Sequence, residues 1–256
     1  MALKITFLGT GTSQGVPVIA CDCEVCTSLD PRDNRLRTSI MVEDESTTVV
    51  IDSGPDFRQQ LLRAKVKKLD GLLFTHEHKD HIAGMDDIRA FNYICRQPVD
   101  IYATKQVQSA LEREFHYAFD EIKYPGVPEL TVHTIENKQF NIGTISFLPI
   151  LVKHFKLDVF GYRIGDFTYI TDANFISDAE IEKIKGSKVL VINALRREPH
   201  VSHFTLDEAI KMIDRIAPEK AYLTHLSHQM GRHEDIAKEL PSYIECAFDG
   251  LVLNFG

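Results

Sequence analysis

The stretch that carries the most structural and chemical information runs from Leu72 to His81 and reads LLFTHEHKDH. Its first three residues are apolar, as in a buried strand, and they lead into a loop with three histidines and one aspartate. His76 and His78 are two residues apart, so in an extended chain their side chains project to the same side. Asp80 and His81 follow around the turn and can face a second point. One loop can therefore supply ligands to two metal ions, and imidazoles with a carboxylate suit Zn, Mn or Fe.

Two other interpretations of this loop stay open at this point. A solvated polar loop before the helix predicted at Gly84 would also be rich in charged residues, but so high a density of histidine disfavours it. A site for a single metal is the more serious alternative. Each ion would in any case need further ligands, which the rest of the chain must supply.

The composition indicates a folded globular protein. Of its 256 residues, 44% are AVILMFWYC and 26% are charged, so we expect one domain over 1–256 with a sizeable core. No apolar run approaches the roughly 20 residues that span a bilayer, and the first residues lack the apolar region of a signal peptide, so we expect a cytoplasmic protein with no membrane partner. The formal charge of −8 argues against a large nucleic acid as partner.

Short strands and helices are predicted along both halves of the chain. The predicted strands lie near 3–7, 39–42, 48–51, 69–74, 99–103, 131–135, 144–148, 159–164, 167–170, 188–192, 220–223 and 251–255. The predicted helices lie over 55–64, 84–95, 105–117, 179–184, 206–216 and 234–240. Thr205 and Glu208 form a capping box before the fifth helix. This order favours two sheets covered on the outside by helices, a layered α/β architecture.

Four acidic or histidine residues elsewhere in the chain complete a pattern with the loop, and each ends or follows a run of apolar or strand-like residues. They are Asp52, His154, Asp172 and His225. With them the sequence resembles the metallo-β-lactamase superfamily, whose signature is HxHxDH after a strand. The resemblance covers nearly the whole chain. It implies an α/β fold of four layers, an αββα sandwich in which helices flank two mixed sheets.

The resemblance also implies seven ligands for two metal ions. The first ion would take His76, His78 and His154. The second ion would take Asp80, His81 and His225, and Asp172 would bridge the two ions. We expect Asp52 to orient the ligand loop by hydrogen bonds rather than to bind metal.

A second cluster lies near the beginning of the chain, where Cys21, Cys23 and Cys26 follow a glycine-rich stretch. Clustered thiols in a cytosolic chain indicate metal ligation more than disulfides. This region resembles the subgroup containing the cyclic-phosphate phosphodiesterase of phosphonate breakdown operons, which implies a structural zinc held by the three cysteines and His228. Three thiolates and one imidazole close the zinc shell, so no substrate would enter. The alternative, a redox pair of Cys23 and Cys26, lacks a positive setting that would lower a thiol pKa.

His203 precedes the capped helix in the sequence His203-Phe204-Thr205. Phosphodiesterases of the superfamily, including the tRNA 3′-end nucleases, place a histidine in a His-x-Ser/Thr motif here, which implies cleavage of phosphate esters. His203 would donate a proton to the departing alkoxide or a hydrogen bond to a phosphoryl oxygen, with His200 as the competing assignment. The nucleophile would be a hydroxide shared by the two metals, which Asp80 helps to orient.

The resulting hypothesis is a phosphodiesterase that cleaves a small cyclic or nucleotide-like phosphate ester. It would use two catalytic divalent metals, Zn or Mn, and one structural Zn, and a homodimer is compatible with the sequence. The alternatives are a metal-dependent acyl hydrolase acting on a thioester or lactam, a nuclease that processes tRNA 3′ ends, and a metal-dependent binding scaffold.

Some residues carry two interpretations. Two arginine pairs could contact a substrate phosphate, although solvated surface charge is the favoured interpretation. They are Arg35 with Arg37 and Arg196 with Arg197. Four aromatic residues could line a pocket for a ring, with core packing as the default. They are Tyr93, Phe115, Tyr117 and Phe119.

Overall fold

A computed structural model describes residues 2–122 and 124–256. In chain order, the strands of the described part are β1 (Leu3–Gly9), β2 (Ser39–Glu43), β3 (Thr48–Ile51), β4 (Gly71–Leu73), β5 (Val99–Ala103), β6 (Leu130–Thr134), β7 (Phe140–Ile142), β8 (Ile145–His154), β9 (Leu157–Ile164), β10 (Phe167–Tyr169), β11 (Phe175–Ile176), β12 (Val189–Asn193), β13 (Lys220–Thr224), β14 (Ile244–Cys246) and β15 (Val252–Phe255). The α-helices are α1 (Phe57–Arg63), α2 (Lys79–Ile82), α3 (Arg89–Cys95), α4 (Lys105–Glu114), α5 (His116–Phe119), α6 (Asp178–Ile184), α7 (Leu206–Ile216) and α8 (His233–Glu239). The 3-10 helices are Pro31–Asp33, Met85–Ile88 and His228–Met230.

The strands form two mixed sheets. The first has the order β15-β1-β2-β3-β4-β5-β6, and the second has the order β11-β8-β9-β10-β12-β13-β14 with β7 beside β8. In each sheet one half is antiparallel and the other parallel: β3 to β6 run parallel, as do β10, β12, β13 and β14. Since carboxyl ends of parallel strands meet at the same edge of a sheet, the loops after these strands cluster.

Alternate residues of one strand face different layers, which explains the almost wholly apolar strands. In β3, Val49 and Ile51 pack in a core with side chains of both sheets, whereas Val50 packs against α1 and α4. A third core joins the second sheet to α6, α7 and α8. Because both faces of each sheet are buried, polar residues do not alternate in the central strands. The architecture is therefore the predicted αββα sandwich, the metallo-β-lactamase fold.

Several predicted boundaries were wrong for identifiable reasons. The helix predicted over 84–95 is a 3-10 turn followed by α3, and the helix predicted over 105–117 ends at Glu114. There Phe115 leaves the helical region, at φ −125° and ψ 36°, and its ring is buried in the core. The strand predicted over 144–148 continues as far as His154. Three short strands, β7, β11 and β14, and the one-turn helix α2 were not predicted, since each offers too few residues for a periodic pattern.

The aromatic residues considered for a pocket separate into two groups. Phe115 is buried, and Tyr117 and Phe119 pack against the same core, where the Tyr117 hydroxyl donates to Asp86 Oδ1 at 2.6 Å. Tyr93 is exposed. In the described residues, no helix is both long and apolar enough to cross a membrane.

Candidate metal centre

The predicted ligands lie at the ends of strands from both sheets. Asp52 directly follows β3, and the loop with His76 follows β4. From the second sheet, His154 ends β8, Asp172 follows β10 and His225 directly follows β13. Because these strand ends meet at one edge of the sandwich, residues as far apart in the chain as Asp52 and His225 share a single site.

Asp172 occupies the centre of the cluster. Its Oδ2 lies 3.6 Å from His76 Nε2 and 3.5 Å from His81 Nε2, and its Oδ1 lies 3.0 Å from His225 Nδ1. The carboxylate thus faces both predicted ligand groups at once. This position agrees with the bridging role that the resemblance implies.

Both ligand groups contact Asp172, and one member of each, His76 and His81, faces its Oδ2. His76 Nε2 and His78 Nδ1 are 3.1 Å apart, and the His78 and His154 ring centroids are 5.0 Å apart. In the second group, Asp80 Oδ2 lies 3.3 Å from His81 Nε2. Two imidazole nitrogens on one tetrahedral zinc would be separated by about 3.3 Å, so the spacing between His76 and His78 fits a shared cation.

The ligand atoms fall into three sets that could each hold an ion. The sets are His76, His78 and Asp172; His81, Asp172 and His225; and His154, Asp172 and His203. The structure thus places His154 beside both His78 and His203. Asp80 joins the second group through its contact with His81.

The electrostatics of the cluster also fit cations. Burial lowers the pKa of His76, and burial also lowers that of His225. Although burial opposes it, the surrounding carboxylates of Asp172 and Asp80 raise the pKa of His81. His81 Nε2 is buried, and among the described residues it has no hydrogen-bond partner. An inward-facing ligand nitrogen without a partner, beside buried carboxylates, suits a bound cation.

Asp52 fixes the orientation of the ligand loop. Its Oδ1 accepts from the Thr75 N–H at 2.9 Å, and its Oδ2 accepts from the Thr75 hydroxyl at 2.8 Å and from His81 Nδ1 at 2.7 Å. The last hydrogen bond sets the tautomer of His81 and leaves Nε2 free to bind metal. Burial raises the pKa of Asp52. The structure therefore places Asp52 behind the ligands, where the sequence analysis expected it.

A close backbone contact that was not predicted holds the loop against β3. The Ser53 N–H donates to His81 O at 2.8 Å, and the Gly84 N–H donates to Ser53 O at 2.7 Å. A Cβ atom at Gly54 would lie 2.1 Å from Asp80 O. Glycine is needed there because any side chain would displace the Asp80 backbone.

His203 lies over the cluster and His200 farther out. The His203 ring centroid is 4.5 Å from that of His154 and 4.8 Å from that of His225. Its Nδ1 is buried without a hydrogen-bond partner in the described part of the chain, and burial lowers the pKa of His203 to about 3. His200 is half-buried, and its Nδ1 faces the Ser202 hydroxyl at 3.3 Å. The geometry favours His203 for contact with a ligand.

The cysteine cluster is assembled as predicted. The sulfur atoms of Cys21, Cys23 and Cys26 lie 3.3, 3.4 and 3.6 Å from His228 Nδ1. A tetrahedral zinc would separate a sulfur and a nitrogen ligand by about 3.5 Å, so these atoms fit a structural zinc. The Cys26 N–H lowers the pKa of Cys23 to about 6, which favours the thiolate that binds metal, whereas burial raises that of Cys26 to about 11.

The arginines have structural partners. Arg35 was expected at the surface, but it is buried and donates to the Thr10 hydroxyl, the Ala247 carbonyl oxygen and His233 Nδ1. Its guanidinium is buried because acceptors from the far end of the chain surround it. The other three have nearby acceptors: Arg37 pairs with Asp56, Arg196 bonds Gln229 and Arg197 pairs with Glu239.

Two facing mixed sheets, outer helices and a histidine and aspartate cluster at one edge define a metallohydrolase scaffold. A model of the beta-lactamase superfamily domain matches residues 47–226. The crystal structure of a new diphosphatase from the PhnP family is 39% identical, with a TM-score of 0.94 over 100% of this chain and 98% of that one. The chain therefore belongs to the metallo-β-lactamase superfamily, a superfamily of hydrolases, and within it to the PhnP family.

Two curated relatives add different names. An octanoyltransferase of Porphyromonas gingivalis is 38% identical over 253 residues, which are 97% of this chain and 51% of that protein. A ribonuclease Z of a Nostoc species is 28% identical over 174 residues, 64% of this chain and 47% of that protein. The chain thus spans about half the length of these curated relatives.

Proposed function

We propose that this protein is a metal-dependent phosphodiesterase that cleaves a small cyclic or nucleotide-like phosphate ester. The observation that carries the proposal is the position of His203 against both ligand groups, with a buried nitrogen that lacks a partner among the described residues. An imidazole beside two candidate cation sites suits a substrate with charge on several oxygens.

The seven predicted ligands would hold two divalent cations, Zn or Mn, which when bound lower the pKa of water and neutralise phosphoryl oxygens. As a neutral imidazole, His203 would donate a hydrogen bond to the phosphoryl oxygen, and it would donate a proton to the leaving oxygen once the charge of a bound phosphate raises its pKa. Asp80 contacts His81 through Oδ2, so its Oδ1 can accept a hydrogen bond from the attacking water. Asp52 would keep His81 in place during the reaction.

The description of the solved relative suggests a second class of phosphate substrate. That relative is described as a diphosphatase, and a phosphoanhydride and a phosphodiester are both cleaved by attack on phosphorus. We therefore include small diphosphates among the substrates to be tested. The net charge of −8 favours such small partners over a whole RNA, although a ribonuclease Z is among the relatives.

Acyl hydrolysis is the second candidate function, because a relative at 38% identity is named an octanoyltransferase. The aligned segment makes up only half of that protein, so the name alone does not place the acyl activity in this segment. We further propose a structural zinc at the cysteine cluster and a cytoplasmic location. Measurement of the mass in solution tests whether the chain forms a homodimer.

The test compares an aryl phosphodiester with an aryl thioester on metal-loaded protein. We expect a clear preference in kcat/KM for the phosphodiester. His203→Ala should lower kcat on that ester about 10²-fold to 10⁴-fold while elemental analysis finds the same metal content. Faster turnover of the thioester, or full phosphodiesterase activity in His203→Ala, would contradict the proposal.

A further inference from the structure

A pocket of about 450 Å³ opens directly beside the candidate metal centre. Two predicted ligands, His78 and His154, line this pocket, and so do Phe155, Lys156 and Val201, which we call its outer residues. A substrate held at the metal centre would extend into this pocket. The outer residues are therefore placed to contact the part of a substrate that lies beyond the ester itself.

Phe155 is an exposed aromatic residue in a conformation that disfavours aromatic residues. It occupies the turn between β8 and β9 at φ +58°, in the left-handed region that such hairpin turns usually give to Asn or Gly. Its side chain is nevertheless 59% exposed, so burial of the ring offsets little of this cost. Asp52, Asp172 and His225 in the metal centre share the left-handed conformation. Backbone strain of this kind is concentrated at functional sites.

Asn174 holds the two outer walls of the pocket at a fixed separation. Its Oδ1 accepts from the Phe155 N–H at 2.9 Å, and its Nδ2 donates to the Val201 carbonyl oxygen at 3.1 Å. Its own N–H donates to Lys153 O at 2.8 Å. One side chain thus connects the turn to the segment that carries Val201, itself 72% exposed. The apolar walls are preorganised, which reduces the cost of ordering them around a ligand.

Lys156 adds a positive charge to this wall. Its Nζ lies 5.4 Å from the centroid of the Phe155 ring, so one face of the ring is near the ammonium group. The opposite face remains for a planar ligand. The ammonium group would also attract a ligand that carries an anionic group next to its ring.

We propose that Phe155 and Val201 form a slot that stacks the base of a nucleotide whose phosphate lies at the metal centre, with Lys156 near the phosphate. The inference rests on the proposed function and makes it more specific, because it selects base-bearing phosphate esters over esters without a planar ring. An aromatic ring tolerates any base, so the slot would prefer nucleotides as a class rather than one base.

The first test measures binding without turnover. The chain contains no tryptophan, so Phe155→Trp introduces a single tryptophan, whose emission can be excited selectively over that of the tyrosines. The matched control is Phe175→Trp, because Phe175 is 55% exposed and lies outside the pocket lining. We expect adenosine 5′-monophosphate to quench Phe155→Trp to saturation and ribose 5-phosphate not to. Equal responses to the two compounds, or saturable quenching in both variants, would overturn the inference.

The second test measures selectivity in the metal-loaded protein. The readout is the ratio of kcat/KM for adenosine 2′,3′-cyclic phosphate to that for glycerol 1,2-cyclic phosphate. Phe155→Leu should lower this ratio about tenfold, Phe155→Tyr should restore it, and Phe175→Leu should not change it. A merely structural role of Phe155 would lower both activities in proportion and leave the ratio unchanged, which overturns the inference alone. If neither ester is cleaved, the proposed function fails, and the inference that rests on it fails too.

Discussion

The protein contains two clusters of metal-ligating side chains that differ in kind. In the cysteine cluster, three sulfur atoms each lie 3.3 to 3.6 Å from His228 Nδ1. In the histidine and aspartate cluster, one carboxylate, that of Asp172, faces three imidazoles. The first arrangement is complete with four ligands, and the second leaves positions for water and substrate.

The surroundings of the two clusters also indicate different roles. The histidine and aspartate cluster borders a pocket through His78 and His154, and it buries carboxylates whose charge needs cations. The cysteine cluster joins a loop near residue 21 to a 3-10 helix near residue 228, so a metal there would tie distant parts of the chain together. Metal ions at the histidine and aspartate cluster would therefore serve chemistry and the ion at the cysteine cluster would serve stability, and each role can be tested separately.

Removal of the central carboxylate should have the largest effect. Asp172→Ala deletes the group that faces both ligand sets, so we expect about a 10⁴-fold loss of kcat/KM and a metal content that falls toward one ion per chain. The remaining ion should be zinc at the cysteine cluster. Elemental analysis and steady-state kinetics measure both effects. Asp178→Ala is the control, because that aspartate lies at the surface on α6. Unchanged metal content and turnover in Asp172→Ala would contradict the bridging role of Asp172.

Loss of a sulfur ligand should have the opposite effect to loss of Asp172: stability should fall while turnover remains. Cys23→Ser should lower the free energy of unfolding by about 3 to 5 kcal/mol and remove one zinc. Turnover per folded molecule should remain, since none of the four residues of the cysteine cluster belongs to the histidine and aspartate cluster. Chemical unfolding and metal analysis measure the effect, with Cys95→Ser as the control at an exposed, solitary cysteine. Loss of turnover at full stability would mean that the two clusters are not separate in function.

A change at Asp52, which lies behind the ligands, should have a moderate effect on metal affinity that is confined to the histidine and aspartate cluster. Asp52→Asn keeps the size of the side chain but replaces one acceptor oxygen with a donor NH₂, which cannot accept from both Thr75 and His81. We expect the metal affinity of the histidine and aspartate cluster to fall about 10-fold to 100-fold. Competition with a chelator measures this affinity. Asp249→Asn, at a buried aspartate that bonds Thr10 and Leu36, is the control, and an equal loss there would contradict an orienting role for Asp52.

The sequence was informative where ligands are close along the chain. The loop from His76 to His81 could be interpreted from its own spacing, and the layered fold from the alternation of strands and helices. By contrast, the contacts of Asp172 with His76 and His225 cross 96 and 53 positions, and only the family resemblance predicted them. Metal binding itself stays a prediction at both clusters.

Other features depend on packing that no local pattern encodes. The left-handed backbone at Asp52, Asp172 and His225 follows from how each strand end turns into the site. Arg35 was misjudged because arginine is usually exposed, whereas its acceptors Ala247 and His233 lie about 200 residues away. The position of the exposed Phe155 ring also depends on a distant residue, since Asn174, just before β11, accepts a hydrogen bond from the Phe155 N–H.

The smallest effect is expected from the network that supports the region around the cysteine cluster. Burial, followed by the charges of Arg35 and Arg32, lowers the pKa of His233 to about 4. An unfolded histidine has its ordinary pKa near 6.5, so between pH 6.5 and 4 the unfolded chain binds more protons. The stability due to neutral His233 is therefore fully present above pH 6.5 and is lost as the pH falls toward 4.

His233→Asn keeps an acceptor for Arg35 but cannot be protonated in this range. Relative to the unchanged protein, the variant should lose about 1 kcal/mol less stability between pH 6.5 and 4, after solvent screening is allowed for. Urea unfolding at a series of pH values measures the difference, and parallel pH curves would contradict it. Since a thiolate cluster also releases metal in acid, the same comparison in Cys23→Ser separates the two causes. If the difference due to His233 persists without the zinc, the network stabilises this region independently of the metal, and the cysteine cluster is one of two separate supports for it.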